Sequence, residues 1–152
     1  MSNALGLEPV DGRTVDVATA LLSQFFEEEG FATPRAKIAA NLRTMLNDAA
    51  CWCALAIAGG QARGIVTVTT MRYVEQGLLG EIGDLYVLPE HRGQGIARFL
   101  VGEAKRWCRG RGCAGVYVTI TKEGEARHAL SQFYARFDFC ATGRSIWSLR
   151  LG

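Results

Sequence analysis

The chain has 152 residues, of which 49% are hydrophobic and 21% are charged, a composition typical of one water-soluble globular domain spanning residues 1–152. The net charge of +2 argues against a general nucleic-acid binder, and without a signal peptide or an apolar run longer than residues 49–58 we expect a cytoplasmic protein that does not bind a membrane. Five cysteines without a Cys-x-x-Cys pair, together with only two histidines, argue against a metal site or a disulfide framework.

The first third of the chain predicts one strand followed by two helices. A short β-rich run at residues 5–10 precedes a helix through about Glu29, and Gly30 ends that helix. A second helix begins near Pro34, because proline suits the first turn of a helix, and it runs to about Leu46.

Strands dominate the remainder of the predicted structure. Two β-rich runs, residues 52–58 and 64–73, are separated by Gly59-Gly60-Gln61-Ala62, which predicts a hairpin. The elements that follow are predicted at residues 81–88 (strand), 95–109 (helix), 115–121 (strand), 125–136 (helix), 139–142 (strand) and 145–149 (strand). This order of strands and helices indicates an α/β domain without repeats or linkers.

The most informative stretch lies at residues 85–97, where a β-rich run is followed by Pro89, a glycine-containing loop and a helix. Gly93 and Gly95 have no Cβ, so their backbone can adopt positive φ and approach a ligand closely. The helix that begins near Ile96 points its unpaired N–H groups and the positive end of its dipole toward the same place. The loop therefore predicts a binding site for an anion of pyrophosphate size.

This loop, Arg92-Gly93-Gln94-Gly95-Ile96-Ala97, resembles the acetyl-CoA loop of the GCN5-related N-acetyltransferases, the GNAT family, whose pattern is Arg/Gln-x-x-Gly-x-Gly/Ala. The preceding Val87-x-Pro89-Glu90-x-Arg92 also fits the usual lead-in of that family. The predicted order of elements resembles the family fold over nearly the whole chain. The resemblance implies a mixed, mostly antiparallel sheet flanked by helices, in which the parallel fourth and fifth strands diverge.

The same resemblance implies that the co-substrate is acetyl-CoA and that no metal takes part. Pantetheine would pair with exposed main-chain groups of the fourth strand, at Leu85, Tyr86 and Val87, and the oxyanion donor would be a main-chain N–H near Val87. The expected phosphate-binding residues are Arg92, Gly93, Gln94, Gly95, Ile96, Ala97 and Arg98.

A second resemblance lies near the C-terminus, at residues 133–139. Phe-Tyr-Ala-Arg-Phe-Asp-Phe resembles the family pattern Phe/Leu-Tyr-Glu-Lys-Leu-Gly-Phe, with Asp138 at the position of the usual glycine. The resemblance implies that Tyr134 donates a proton to the leaving CoA thiolate, and the alternative is a core tyrosine whose hydroxyl reaches water. Asp138 bears on how the last helix ends, because aspartate tolerates a left-handed cap less well than glycine does.

Two carboxylates of the fourth strand are candidate general bases for removing the proton of an attacking amine. Glu81 and Asp84 are three residues apart, so on a regular strand their side chains point to opposite faces. A β-bulge, which the family usually has on this strand, would change that relation. Both residues therefore remain candidates.

The acceptor is predicted from the distribution of acidic residues. Glu27 and Glu28 lie at a helix end, where the dipole disfavours acids, and with Asp84 they would bind a small polycationic amine such as an aminoglycoside or a polyamine. A solvated acidic run is the simpler interpretation of the helix end. The alternative functions are a protein acetyltransferase for N-termini or lysines and a non-catalytic acyl-CoA-binding module, which the presence of Tyr134 disfavours. The resemblance also allows a homodimer through the terminal strands.

Overall fold

The computed structural model describes residues 4–152, which divide into two compact units, one ending at Val118 and one spanning Thr119–Gly152. The strands of the first unit are β1 (Gly6–Pro9), β2 (Cys51–Ala58), β3 (Gln61–Tyr73), β4 (Gly77–Val87) and β5 (Gly115–Val118). Its helices are α1 (Val15–Glu28), α2 (Arg35–Leu46) and α3 (Ile96–Gly110), with a short 3₁₀ turn at Pro89–His91. Among the described residues, none of the helices combines the length and the apolar character needed to cross a membrane.

The five strands form one mixed sheet in the order β1-β2-β3-β4-β5. The first four strands are antiparallel neighbours, and β5 lies parallel to β4. The predicted mixed, mostly antiparallel sheet of an α/β fold is therefore confirmed. β4 begins four residues earlier than expected, because its pairing with β3 continues as far as Tyr73 and Gly77.

Helices cover both faces of this sheet. On one face α1 and α2 pack against alternate sheet residues such as Leu55 and Ile65, which are fully buried. On the other face α3 buries the apolar stripe that its sequence predicts, Ile96, Leu100, Ala104 and Cys108.

The contact of α3 with the sheet depends on a glycine of β4. A Cβ atom at Gly80 would lie 2.4 Å from the Sγ atom of Cys108, closer than real Cβ contacts occur. Since Cys108 is buried, any larger residue at position 80 would push α3 away from the sheet.

The second unit contains two short helices, α4 (Lys122–His128) and α5 (Leu130–Ala135), where the sequence predicts one helix over residues 125–136. That prediction is wrong because the backbone breaks at Ala129, which has a φ of +47°. Glu125 stabilises the break, since its carboxylate accepts hydrogen bonds from the backbone N–H and the hydroxyl of Ser131 at 2.8 and 2.5 Å. These bonds satisfy an amide in the first turn of α5 that would otherwise lack a partner.

The predicted strands at residues 139–142 and 145–149 are absent from the described structure, so that prediction is also wrong. A strand is stable only when a neighbour completes its hydrogen-bond ladder, and the unit Thr119–Gly152 contains no strand of its own. The apolar side chains of Ile146, Trp147 and Leu149 are accordingly 74%, 91% and 85% exposed. These apolar residues favour a strand, but they do not by themselves supply a hydrogen-bonding partner.

The chain leaves α5 through a Schellman motif with Asp138 in the left-handed position. The N–H of Phe139 donates to the carbonyl of Tyr134 at 3.2 Å, and the N–H of Asp138 donates to that of Ala135 at 3.1 Å. Asp138 has a φ of +69°, and the rings of Tyr134 and Phe139 make the apolar contact that accompanies this motif, with centroids 5.4 Å apart. The helix thus ends as the family pattern implies, although an L-residue occupies the glycine position.

Replacing Asp138 with glycine should stabilise the protein. A side chain in the left-handed region costs energy that glycine avoids, and this gain exceeds the larger entropy loss of glycine on folding. We expect Asp138→Gly to raise the free energy of unfolding, measured by urea titration, by about 0.5–1 kcal/mol. Asp138→Ala keeps the Cβ and should give no such gain. A lower stability for Asp138→Gly would contradict this account of the helix end.

Candidate active site

The ladder between β4 and β5 stops before β4 ends. The two strands pair from Leu79 to Ile82, whereas β4 continues to Val87 with only β3 beside it. The edge of β4 beyond Ile82 therefore presents main-chain groups that β5 does not use. An edge of this kind can pair with an extended ligand that contains amides.

The register between β3 and β4 determines which main-chain groups face that edge. The N–H of Leu88 donates to the carbonyl of Arg63 at 3.0 Å, and the pairing places Tyr86 opposite Ile65. Because hydrogen-bonded pairs alternate along an antiparallel ladder, the main chain of Tyr86 faces β3, while those of Leu85 and Val87 face the unused edge. The expectation that Tyr86 offers its own main chain to a ligand at this edge is therefore corrected.

The loop after β4 has the conformation that its glycines predict. Gly93 and Gly95 have φ values of +76° and +83°, and a Cβ atom at either position would meet nothing within 4 Å. Gly95 is the residue before α3, so the first N–H groups of that helix, from Ile96 onward, point toward the loop. The open space at the two glycines, the first N–H groups of α3 and the positive end of this 15-residue helix together fit a phosphate group.

Arg92 connects this loop to β4 and to α1. Its Nε donates to the carbonyl of Val87 at 3.0 Å, and its Nη2 donates to Oε2 of Glu28 at 2.9 Å. Its guanidinium also lies over the ring of Tyr86, 5.5 Å from the centroid. The sequence predicts a phosphate contact for Arg92, but in the structure two of its nitrogens bind protein groups.

Glu28 is bound at both carboxylate oxygens. The hydroxyl of Tyr86 donates to Oε1 at 2.5 Å, opposite the Arg92 contact at Oε2. Burial alone would raise the pKa of Glu28, but the hydrogen bonds from Tyr86 and Arg92 and the charge of Arg92 outweigh it, so the pKa lies below the ordinary value of 4.5. Glu28, although partly exposed, is thus a charge-paired anion at neutral pH, and Glu27 lies exposed near the same helix end.

A bulge at Gly83 places the two candidate bases on one face of the sheet. Asp84 pairs with Thr67 and Ile82 pairs with Val68, so Gly83 is an extra residue in β4. Glu81 pairs with Thr69, two residues from Thr67, and its side chain therefore shares a face with that of Asp84. This is the face that α1 and α2 cover.

The carboxylate of Asp84 is fixed by a hydrogen bond from the neighbouring strand. Its Oδ2 accepts a hydrogen bond of 2.6 Å from the hydroxyl of Thr67, which is only 2% exposed. Burial raises the pKa of Asp84, and the Thr67 hydrogen bond opposes that shift without cancelling it. The same row includes Cys53, whose pKa is raised to about 12 by burial and by the charge of Asp84. Asp84 is therefore a carboxyl group that takes a proton more readily than an exposed aspartate does.

Tyr134 lies in the second unit, near the end of α5. Its buried ring makes edge contacts with Phe133 and Phe139. Burial raises the pKa of Tyr134 to about 12, so the hydroxyl keeps its proton at neutral pH. A protonated hydroxyl is the form that a general acid requires.

Sequence reasoning missed two features of the site. Thr67 gave no local signal, because its hydrogen bond to Asp84 depends on the register of two strands. The contact between Glu28 and Arg92 joins residues 64 positions apart, which only the fold brings together. The sequence does contain a sign of the bulge, because Gly83 lies inside a predicted strand and glycine there often marks a bulge.

Within residues 4–152, no three His, Cys, Asp or Glu side chains are arranged to hold a metal ion.

Residues 15–139 match the sequence profile of the Acetyltransferase (GNAT) family. The aminoglycoside N(6')-acetyltransferase type 1 of Klebsiella aerogenes is 39% identical over 57 residues, which make up 36% of this chain and 38% of that protein. The chain therefore spans well under two thirds of this curated relative.

Solved structures share the fold over almost the full length. The aminoglycoside N-acetyltransferase AAC(6')-Iy in complex with CoA has a TM-score of 0.85 at 18% identity, covering 99% of this chain and 97% of that one. An integron cassette protein from the mobile metagenome of Cole Harbour Salt Marsh has a TM-score of 0.83 at 24% identity, with 96% and 90% covered. The apo enzyme AAC(6')-IG of Acinetobacter haemolyticus has a TM-score of 0.80 at 18% identity, with 96% and 98% covered.

Proposed function

Because the chain belongs to the acetyltransferase (GNAT) family, we propose that it transfers the acetyl group of acetyl-CoA directly to a primary amine. One observation carries this proposal: the unused edge of β4 leads straight into the loop at the N-terminus of α3. The edge suits the amides of pantetheine, and the loop suits the pyrophosphate that follows them. Acetyl-CoA bound to the edge of β4 and to this loop would have its thioester near the carboxylates of β4.

The chain holds acetyl-CoA mainly through its backbone in this proposal. Leu85 and Val87 face the pantetheine, and the N–H of Val87 is suited to receive the charge that develops on the thioester oxygen. The phosphates would bind the N–H groups from Gly93 to Arg98. Tyr86 and Arg92 contribute indirectly, through the contacts that fix the end of β4.

The reaction needs two proton transfers besides the attack itself. The amine nitrogen bonds to the thioester carbon, the C–S bond breaks, the nitrogen loses a proton to a base, and the departing sulfur gains one from an acid. We assign the base to Asp84, directly or through water, because its raised pKa suits proton uptake, and Glu81 on the same face is the alternative. Tyr134 is the proposed acid, since it stays protonated at neutral pH.

The proposed acceptor is a small amine with several positive charges, of the aminoglycoside kind. Two carboxylates, Glu81 and Asp84, lie on the sheet face that α1 covers, and Glu27 is exposed at the end of α1. Coulomb attraction by such a group of acids favours a polycation over a neutral amine. The 57-residue likeness to an aminoglycoside acetyltransferase also supports this choice over polyamines and proteins.

A cytoplasmic location and a homodimer complete the proposal. Acetyl-CoA is a metabolite of the cell interior, so an enzyme that consumes it works there. The exposed side chains of Ile146, Trp147 and Leu149 provide the kind of apolar surface that a second copy of the chain would cover.

The function is tested by following CoA thiol release from acetyl-CoA with a panel of aminoglycosides, polyamines, short peptides and a neutral amine. We expect release with aminoglycosides, and a KM for the acceptor that rises with added salt, because salt screens exposed charges beyond about 8 Å at physiological ionic strength. A neutral amine provides the control, since its KM should not depend on salt. Turnover confined to peptides would contradict the proposed acceptor, and no thiol release with any amine would contradict the activity.

Replacing Asp84 tests the assignment of the base. A base must be unprotonated, so the wild-type rate should fall with decreasing pH at a pKa above the ordinary aspartate value of 3.8. Asp84→Asn should lower kcat by about 10²–10⁴-fold and abolish that limb of the pH profile. Because burial disfavours the charged form, Asp84→Asn should also raise the free energy of unfolding at neutral pH.

Glu81→Gln is the matched control, because it removes a carboxylate from the same strand and face. A large loss of kcat in Glu81→Gln, combined with a normal rate in Asp84→Asn, would move the role of base to Glu81.

Tyr134→Phe tests the assignment of the acid. The substitution keeps the ring and its contacts with Phe133 and Phe139, so the protein should fold and bind CoA normally. We expect kcat to fall by about 10²–10⁴-fold with little change in the KM for acetyl-CoA, which stopped-flow and steady-state assays can measure. Wild-type turnover at saturating substrate would show that Tyr134 serves only to pack the second unit.

A further inference from the structure

A polar network near the proposed acetyl-CoA site centres on Glu28, at the C-terminal end of α1. Its two carboxylate oxygens are each bound by a residue from a different part of that site: Tyr86 from β4 at 2.5 Å and Arg92 from the loop at 2.9 Å. The ring of Tyr86 is buried and stacks on Phe25 of α1, with centroids 5.2 Å apart. Glu28 therefore joins one helix to both elements that would hold acetyl-CoA.

Arg92 transmits this contact to the edge of β4. Its guanidinium is planar, so the bond of Nη2 to Glu28 and the bond of Nε to the Val87 carbonyl together fix its position. The Arg92 side chain is 46% exposed, and without Glu28 it would gain rotational freedom in water. The Val87 carbonyl would then lose a fixed donor at the point where β4 faces the proposed thioester.

We propose that Glu28 is a positioning residue for the acetyl-CoA site, acting through Arg92 and Tyr86, and that it is not a ligand of the acceptor amine. This inference rests on the proposed function. Its basis is that both oxygens of Glu28 are engaged and that the charge of Arg92 already compensates its own. A polycation gains less from a carboxylate that is already paired than from an exposed one such as Glu27.

The test compares Glu28→Gln with Glu27→Gln, two neighbouring changes that each remove one charge and keep the side-chain size. CoA affinity is measured by calorimetry, and the KM values of acetyl-CoA and acceptor are measured separately. Glu28→Gln should weaken CoA binding about three- to tenfold and leave the acceptor KM unchanged, as expected for loss of a partly exposed charge-assisted contact. Glu27→Gln should show the reverse, an unchanged CoA affinity with a raised acceptor KM.

A double-mutant cycle with Arg92→Lys tests whether Glu28 acts through Arg92. Lysine has a single ammonium group and cannot reproduce both contacts of the guanidinium, so Glu28→Gln should have little further effect on CoA affinity in the Arg92→Lys background. Fully additive effects would overturn the inference, as would a normal CoA affinity in folded Glu28→Gln. A raised acceptor KM in Glu28→Gln with normal CoA affinity would restore Glu28 as an acceptor ligand. Wild-type protein that does not bind CoA would instead overturn the proposed function, and this inference with it.

Discussion

Main-chain hydrogen bonding along β4 is the constraint on which the rest of the first unit depends. As far as Ile82 both edges of the strand are used, by β3 and β5, and the sheet is an ordinary mixed sheet there. Beyond Ile82 only β3 remains. The carbonyl of Val87 accepts a hydrogen bond from Arg92, whereas the N–H of Val87 and the main chain of Leu85 face the edge that β5 leaves unused. Because water or a ligand must satisfy those groups, the same pairing that builds the sheet also opens the site.

Charged side chains near the end of β4 hold other protein groups in place, in addition to any contact with a ligand. The family pattern places an arginine at position 92, next to a loop that suits phosphate, yet its guanidinium binds Val87 and Glu28. Phosphate binding then depends on backbone N–H groups, whose directions are set by the glycines and by α3. Asp84 contrasts with Glu28: burial raises the pKa of Asp84, whereas the partners of Glu28 lower its pKa. One carboxyl group is thus prepared to take up a proton and the other to keep its charge.

Local patterns were sufficient for most of the fold. Glycines and helical spacing predict α1, α2, α3 and the hairpin, and the loop motif indicates where a candidate site lies. Patterns failed where a distant partner decides the outcome. Residues 145–149 are rich in apolar side chains but form no strand within the unit Thr119–Gly152, and the helix expected over residues 125–136 breaks where Glu125 caps Ser131. The same reason explains why the sequence does not reveal the partners of Glu28, which lie 58 and 64 residues away.

The bulge at Gly83 determines which face of the sheet carries the Glu81 side chain. Strand side chains alternate between faces, so one residue added to a regular ladder reverses every side chain on one side of it, whereas a bulge leaves the added residue unpaired. If Gly83 instead entered the ladder, opposite Val68, the segment from Gly77 to Ile82 would turn over relative to Asp84. Glu81 would then point into the apolar layer under α3, and Ile82 would face α1 and α2. Deletion of Gly83 would by contrast leave Ile82 opposite Val68 and Glu81 opposite Thr69, so both side chains would keep their present faces.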